Sequence, residues 1–236
     1  MELEERIAAV RQKIAEAALA AGRRPEDITL CAATKVQSDE TIRAAIAAGI
    51  TVCGENRVQE LNAHLAEDAY QGAEVHFIGH LQRNKVKYVV GRVALIQSVA
   101  GEELLQLIEK QAAKLGIRQD ILIEVNIGAE ASKSGASPEE AHRLAALAGQ
   151  MEHVRLRGLM AIPPAAEHEG ENRRFFAEMR RLFVDMTGKK YDNESTMDIL
   201  SMGMSKDYTD AIAEGATLVR IGTGLFGPRP ANRAHG

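Results

Sequence analysis

The sequence predicts an α/β fold, a single (β/α)8 TIM-type barrel with an additional N-terminal helix. Three observations carry this. Short, nearly continuous apolar runs alternate with longer segments whose apolar residues recur every three to four positions, the pattern of strands covered on both faces and helices packed on one. The alternation repeats eight times, more regular units than an open doubly wound sheet normally uses. The 236 residues contain no Pro/Gly/Ser-rich spacer or low-complexity tract, so residues 1–236 are expected to form one domain.

Taken in order, Leu3, Ile7, Val10, Ile14 and Ala18 make the apolar stripe of the extra helix, which Gly22 stops. Residues 28–35, ITLCAATK, read as the first strand. Ser38 and Asp39 then cap a helix that turns Ile42, Ala45 and Ile46 inward and ends at Gly49. ITVCG (50–54) is followed by helical NRVQELNAHLAE (56–67), EVHFIGH (74–80) by LQRNKVKYVV (81–90), and RVALIQSV (92–99) by GEELLQLIEKQAAKLG (101–116). QDILIEVNIG (119–128) leads to SPEEAHRLAALAGQ (137–150). VRLRGLMAIP (154–163) leads, through a loop over 163–170 expected to be mobile, to the long helix of ENRRFFAEMRRLFVDM (171–186). TMDILSMG (196–203) with SKDYTDAIAEG (205–215), and TLVRIGTGLFG (217–227) with a short tail, complete the series.

Hydrophobic residues make up 45% of the chain and charged residues 26%, a balance that supports one large core. The net charge of -4, from 29 Lys+Arg against 33 Asp+Glu, offers no positive field for nucleic acid or an anionic membrane. The N-terminal MELEERIAAVRQKI lacks the apolar centre of a signal peptide, and no apolar run approaches a membrane span. A cytoplasmic protein without nucleic-acid or membrane partners is expected. With no obvious apolar appendage, a monomer is expected as well. Cys31 and Cys53 lie in strand-like runs without CxxC spacing and read as buried free thiols. The seven histidines, including His76 and His80 around Phe77-Ile78-Gly79, show no HExxH or other ligand cluster, so no metal is expected.

Barrel chemistry belongs at the C-terminal ends of the strands, with phosphate held by the loops after strands seven and eight. Two glycine-bearing runs stand there: Ser201-Met202-Gly203-Met204-Ser205 and Ile221-Gly222-Thr223-Gly224. Either alone reads equally well as a tight β-to-α turn; together they point to a phosphate site. Neither is a GxGxxG after strand one or a GxxxxGK[ST]. Lys35 closes the first strand in apolar surroundings that disfavour its ammonium form, which suits Schiff-base chemistry, although a strand-end lysine is by position alone more often a simple ion-pairing rim residue. Arg220 either pairs with Asp198 or Glu55, or faces a pyridine nitrogen, a known partner in pyridoxal sites. Asn56 either touches a cofactor or caps the helix that follows it.

Over nearly its whole length the sequence resembles the YggS/PROSC family of pyridoxal-phosphate homeostasis proteins. The matching motifs are AATKV, GENRVQE, HFIGHLQRNKVK, VNIGAEASKSG, RGLMAIPP and SMGMSKDYTDAIAEGATLVRIGTGLFG, in that order. The resemblance implies pyridoxal 5′-phosphate as cofactor, bound as a Schiff base on Lys35. It implies that Ser201, Gly222 and Thr223 help hold the phosphate, that Arg220 faces the pyridine nitrogen, and that Asn56 and Met204 border the ring. One departure is visible: Thr34-Lys35-Val36-Gln37 stands where the family usually has Ser-Lys-Thr followed by a Lys-Pro type sequence. The family is thought to bind, buffer or deliver the cofactor, so apoenzymes that use it are expected partners and a non-catalytic role is expected. The same barrel is similar to the N-terminal domain of alanine racemase. Two-base racemisation there takes its second base, a tyrosine, from an added β-domain, for which this chain is expected to have no room. A weakly active racemase-like enzyme is the alternative. An isomerase or aldolase for phosphorylated metabolites is a third reading, and it would need a further placed acid or base.

Overall fold

Eight parallel strands close on themselves in sequence order in a computed structural model of the chain, which describes residues 2–128, 134–165, 168, 170–189, 191 and 196–228. They are β1 (Thr29–Ala33), β2 (Val52–Glu55), β3 (Glu74–Phe77), β4 (Leu95–Val99), β5 (Gln119–Val125), β6 (Val154–Ala161), β7 (Ile199–Ser201) and β8 (Leu218–Ile221). β8 returns to β1 with Leu30 opposite Val219 and Cys31 opposite Arg220, which closes the barrel. The helices are α1 (Leu3–Ala20), α2 (Asp39–Ala47), α3 (Val58–Ala66), α4 (Glu102–Leu115), α5 (Pro138–Ala148), α6 (Arg173–Thr187), α7 (Tyr208–Ala213) and α8 (Thr223–Phe226). The predicted barrel and its extra N-terminal helix are both present.

Local chemistry explains the boundaries. Ser38 accepts the Thr41 N–H ahead of α2, and Ser137 with Glu140 forms a reciprocal capping box at α5. Gly116, at φ 65°, ends α4 in the left-handed conformation. Two expectations are corrected. The segment 81–90 is not an α-helix but a 3-10 helix over Arg83–Tyr88. Its tighter turn suits the burial of Val86 and Val89, three apart, beside Val90. The first strand ends at Ala33, so Lys35 stands in a turn beyond it.

α8 is a single turn and covers little of the sheet, so α1 supplies the missing outer layer where β8 meets β1. Ile7, Val10, Ile14 and Ala18 of α1 are buried there, as the stripe predicts. Arg6 Nε donates to Leu225 O (2.5 Å), and Arg23 Nη1 donates to Ile212 O (3.1 Å) and Ala216 O (2.7 Å). Inside the barrel, alternation along the strands turns Cys31, Ala33, Val52, Ile78 and Leu218 into one apolar cluster, and Leu95, Leu122 and Met160 into another. The N-terminal mouth is tied by charge. Asp120 takes Arg155 at 2.6 and 2.7 Å and Arg157 at 2.8 Å, while Arg157 reaches Asp198 at 2.9 and 2.6 Å.

The turn carrying Lys35 is fastened to the end of β2. Thr34 N donates to Gly54 O (3.0 Å), Thr34 Oγ1 donates to Glu55 Oε1 (2.5 Å), and Gln37 N closes the turn on Thr34 O (3.0 Å). Val36 sits at φ 59°, a conformation costly for a β-branched residue, so its surroundings hold it there. Glu55 is fully buried, and burial raises its carboxyl above the ordinary range against the opposing hydrogen bond from Thr34. A pKa raised on folding means that the folded state keeps a proton which the unfolded chain releases above the carboxylate range; the associated stability is lost as pH rises through the folded value. Glu55→Gln is neutral throughout. Its thermal midpoint relative to the parent should therefore climb as pH rises above the ordinary carboxylate range, by about 2–4 °C for each kcal/mol regained. An offset that does not change with pH would contradict a Glu55 carboxyl raised by burial.

Candidate functional site

A cavity of about 450 Å³ opens at the C-terminal ends of the strands. Lys35 beyond β1, Asn56 beyond β2, Met204 beyond β7, Arg220 on β8, and Gly222 and Thr223 beyond it all line this space. Six of the seven residues expected from the sequence are thus brought together. Ile78 and residues 162–165 add an apolar wall.

Arg220 faces inward from β8, as Leu218 does, and is 4% exposed. Its Nη1 donates to Ser201 Oγ (2.5 Å) and its Nη2 to Ala161 O (2.9 Å). Among the described residues no carboxylate pairs with it. Asp198 is engaged by Arg157, and Glu55 by Thr34, so neither ion pair left open by the sequence forms. Burial pushes the guanidinium pKa down, with Glu124 and Asp207 acting in the opposite sense. A buried charge without a counter-charge is costly, and this one borders a cavity.

Ser201 departs from expectation. It ends β7, is fully buried and does not line the cavity; its hydroxyl accepts from Arg220 and donates to Gln97 Oε1 (2.6 Å). Strand alternation turns it into the barrel, and the rim is reached only beyond Gly203. Gly203 has φ +90°, and a Cβ there would lie 2.5 Å from Ala211 Cβ. Ser205 stands at the rim instead. Its Oγ accepts the N–H groups of Gly222 (3.3 Å) and Gly224 (3.1 Å). These two amides, expected to be open, converge on one oxygen position that a hydroxyl now fills. Asp207 Oδ1 accepts the Met204 N–H (2.8 Å), which fixes the turn presenting Met204 and Ser205.

Asn56 does not cap α3: the capping position is Arg57, and no side chain caps there. Gly79 allows Asn56 to pass close to it, since a Cβ at Gly79 would fall 2.1 Å from Asn56 O. The Oδ1 of Asn56 is buried without a hydrogen-bond partner. Asn172 is a cavity residue that the sequence did not reveal. Its Nδ2 donates to Asp207 Oδ2 (2.7 Å), and its Oδ1 is buried without a partner. No motif marks it, because it belongs to the site through its contact with Asp207.

Among the described residues, no group of three His, Cys, Asp or Glu side chains could hold a metal ion, and no helix is long and apolar enough to cross a membrane. Cys31 and Cys53 are free and buried, and burial raises both thiols, Cys53 to about 12. Part of the VNIGAEASKSG motif (129–133), and part of the loop expected to be mobile at 163–170, lie outside the described residues.

The family described as alanine racemase, N-terminal domain, matches residues 6–230. The pyridoxal phosphate homeostasis protein of Aquifex aeolicus is 43% identical over 225 residues, covering 95% of this chain and 97% of its own length. That of Escherichia coli (strain K12) is 40% identical over 226 residues, covering 94% and 95%. The structure of PipY from Synechococcus elongatus PCC7942 with pyridoxal phosphate bound superposes with a TM-score of 0.82 at 32% identity, over 96% of this chain and 100% of that one. Identity of this extent along nearly the whole chain, on a closed barrel, makes this chain a member of the pyridoxal phosphate homeostasis proteins, within the alanine racemase N-terminal domain family.

Proposed function

We propose that this protein binds pyridoxal 5′-phosphate at the C-terminal mouth of the barrel, held as a Schiff base on Lys35, and buffers or delivers it without being an efficient catalyst. The observation that carries this reading is the buried guanidinium of Arg220 beside a cavity, with no carboxylate partner among the described residues. A guanidinium offers five N–H donors and no acceptor, so a ring nitrogen that accepts a hydrogen bond suits it. The unpartnered Oδ1 of Asn56 offers a second polar contact. At the phosphate end, the amides of Gly222 and Gly224 converge beside Ser205, with Thr223 adjacent. Ser205 replaces Ser201 in this role. The names of the curated relatives and the ligand of PipY support the same cofactor.

When bound, the cofactor supplies an aldehyde carbon for a primary amine and a ring able to accept electrons. Arg220 works against the second property. A guanidinium retains its own proton, so a ring nitrogen facing it stays unprotonated and the ring is a weak electron sink. Racemisation also needs a base on each face of the substrate carbon. Among the described residues no tyrosine lines the cavity, which favours holding over turnover.

Lys35→Ala should abolish the borohydride-reducible covalent link and shift the cofactor absorbance, while phosphate-dependent binding persists at lower affinity. An unchanged spectrum would mean that another lysine is used. Ser205→Ala and Thr223→Ala should each raise the Kd about ten- to a hundredfold, as loss of a hydrogen bond to a charged group of about 1.5–3 kcal/mol implies, with the spectrum of bound cofactor preserved. Equal affinity in both variants would remove them from the phosphate site. Incubating loaded protein with single amino-acid enantiomers separates carrier from racemase; inversion at about one turnover per second or faster would overturn the non-catalytic reading.

A further inference from the structure

Five polar side chains form one connected row along the inside of the barrel, from one mouth to the other. From the cavity downward, Arg220 Nη1 meets Ser201 Oγ (2.5 Å), Ser201 Oγ meets Gln97 Oε1 (2.6 Å), Gln97 Nε2 meets His76 Nδ1 (2.9 Å), and His76 Nε2 lies 3.5 Å from Glu74 Oε1. Gln97 and Ser201 are fully buried, and His76 and Arg220 nearly so, whereas Glu74 is exposed. Glu74 and His76 border a second cavity, of about 320 Å³, at the N-terminal mouth.

Hydrogen-bond chemistry permits one direction along this row. A guanidinium can only donate and an amide oxygen can only accept, so the Ser201 oxygen accepts from Arg220 and its own proton goes to Gln97 Oε1. That contact turns the Gln97 amide NH2 toward His76. An NH2 group can only donate, so His76 Nδ1 accepts and its ring proton sits on Nε2, facing Glu74. The hydrogen bond with His76 also holds the Glu74 carboxyl below the usual range, as the far end of such a row requires.

We propose that Gln97 and His76 are positioning residues that orient Ser201, and through it the cofactor-facing guanidinium of Arg220, by a one-way chain of donors ending at Glu74 in the opposite mouth. An apolar interior would pack without these groups. Keeping four buried polar side chains there is tolerable only when each is satisfied, and removing one leaves its neighbour unpaired. Ala161 O fixes one arm of the guanidinium and Ser201 the other. The plane of Arg220 is therefore set by residues that do not border the cofactor cavity. The proposal relies on the pyridoxal-phosphate reading only for the identity of what Arg220 faces.

Two measurements test it, the first in protein without cofactor. The ¹⁵N resonances of the His76 ring at about pH 8 should show the neutral Nε2–H form, and Gln97→Glu, which can accept but not donate, should move the proton to Nδ1. An Nδ1–H ring in the parent protein, or no change in Gln97→Glu, overturns the proposal whether or not the cofactor binds. The second uses pyridoxal phosphate as probe. Gln97→Leu and Ser201→Ala should each raise the Kd about tenfold and shift the absorbance of bound cofactor, while the double variant is no worse than the weaker single one. Additive losses, or losses without a spectral shift, would make these residues ordinary packing. If the parent protein fails to bind pyridoxal phosphate, the proposed function falls while the tautomer result still decides the row.

Discussion

A guanidinium cannot be neutralised at any ordinary pH, and in this barrel one is buried on β8, where among the described residues no carboxylate pairs with it. Much of the surrounding structure follows from that constraint. Ala161 O on β6 and Ser201 on β7 supply two acceptors, and both sit on strands adjacent or nearly adjacent to β8 because the barrel closes in sequence order. The remaining donors lie beside the cavity that Lys35 and Asn56 also border. A site that binds a neutral acceptor next to a fixed cation discourages protonation there.

The depth of each residue is set by strand geometry. Side chains at the last inward position of a strand, such as Ser201 on β7, lie within the barrel and support the site from below. Residues two to four positions further on, such as Lys35 after Ala33 and Ser205 after Ser201, reach the rim. The two layers do different work. The upper one offers the amine, the converging amides and Asn56; the lower one fixes the angle at which Arg220 meets them.

Much of the fold was legible because the apolar runs are short, regular and separated by segments of helical period, from Ile7 in α1 to Leu225 in α8. The segment 81–90 was misread because Val86, Val89 and Val90 satisfy either helical period, and only packing selects the tighter turn. In the site, Lys35, Arg220 and the glycine runs were visible because their residue types are unusual at strand ends. That Ser201 lies below the rim, bonded to Arg220 and Gln97, was not legible, because the residue type does not tell how deep a strand-end side chain sits. Asn172 and Gln97 had no local signature at all. Each belongs to the site through a partner more than thirty positions away, Asp207 for one and Ser201 for the other.

The claim that organises these features is that the ligand is pyridoxal phosphate and that its covalent anchor is Lys35. Reduction of the loaded protein with borohydride, followed by mass-spectrometric mapping of the pyridoxyl group, tests it most directly. The account predicts a single modified peptide with the added mass on Lys35. Modification of a different lysine, or none in protein saturated with the cofactor, would contradict it.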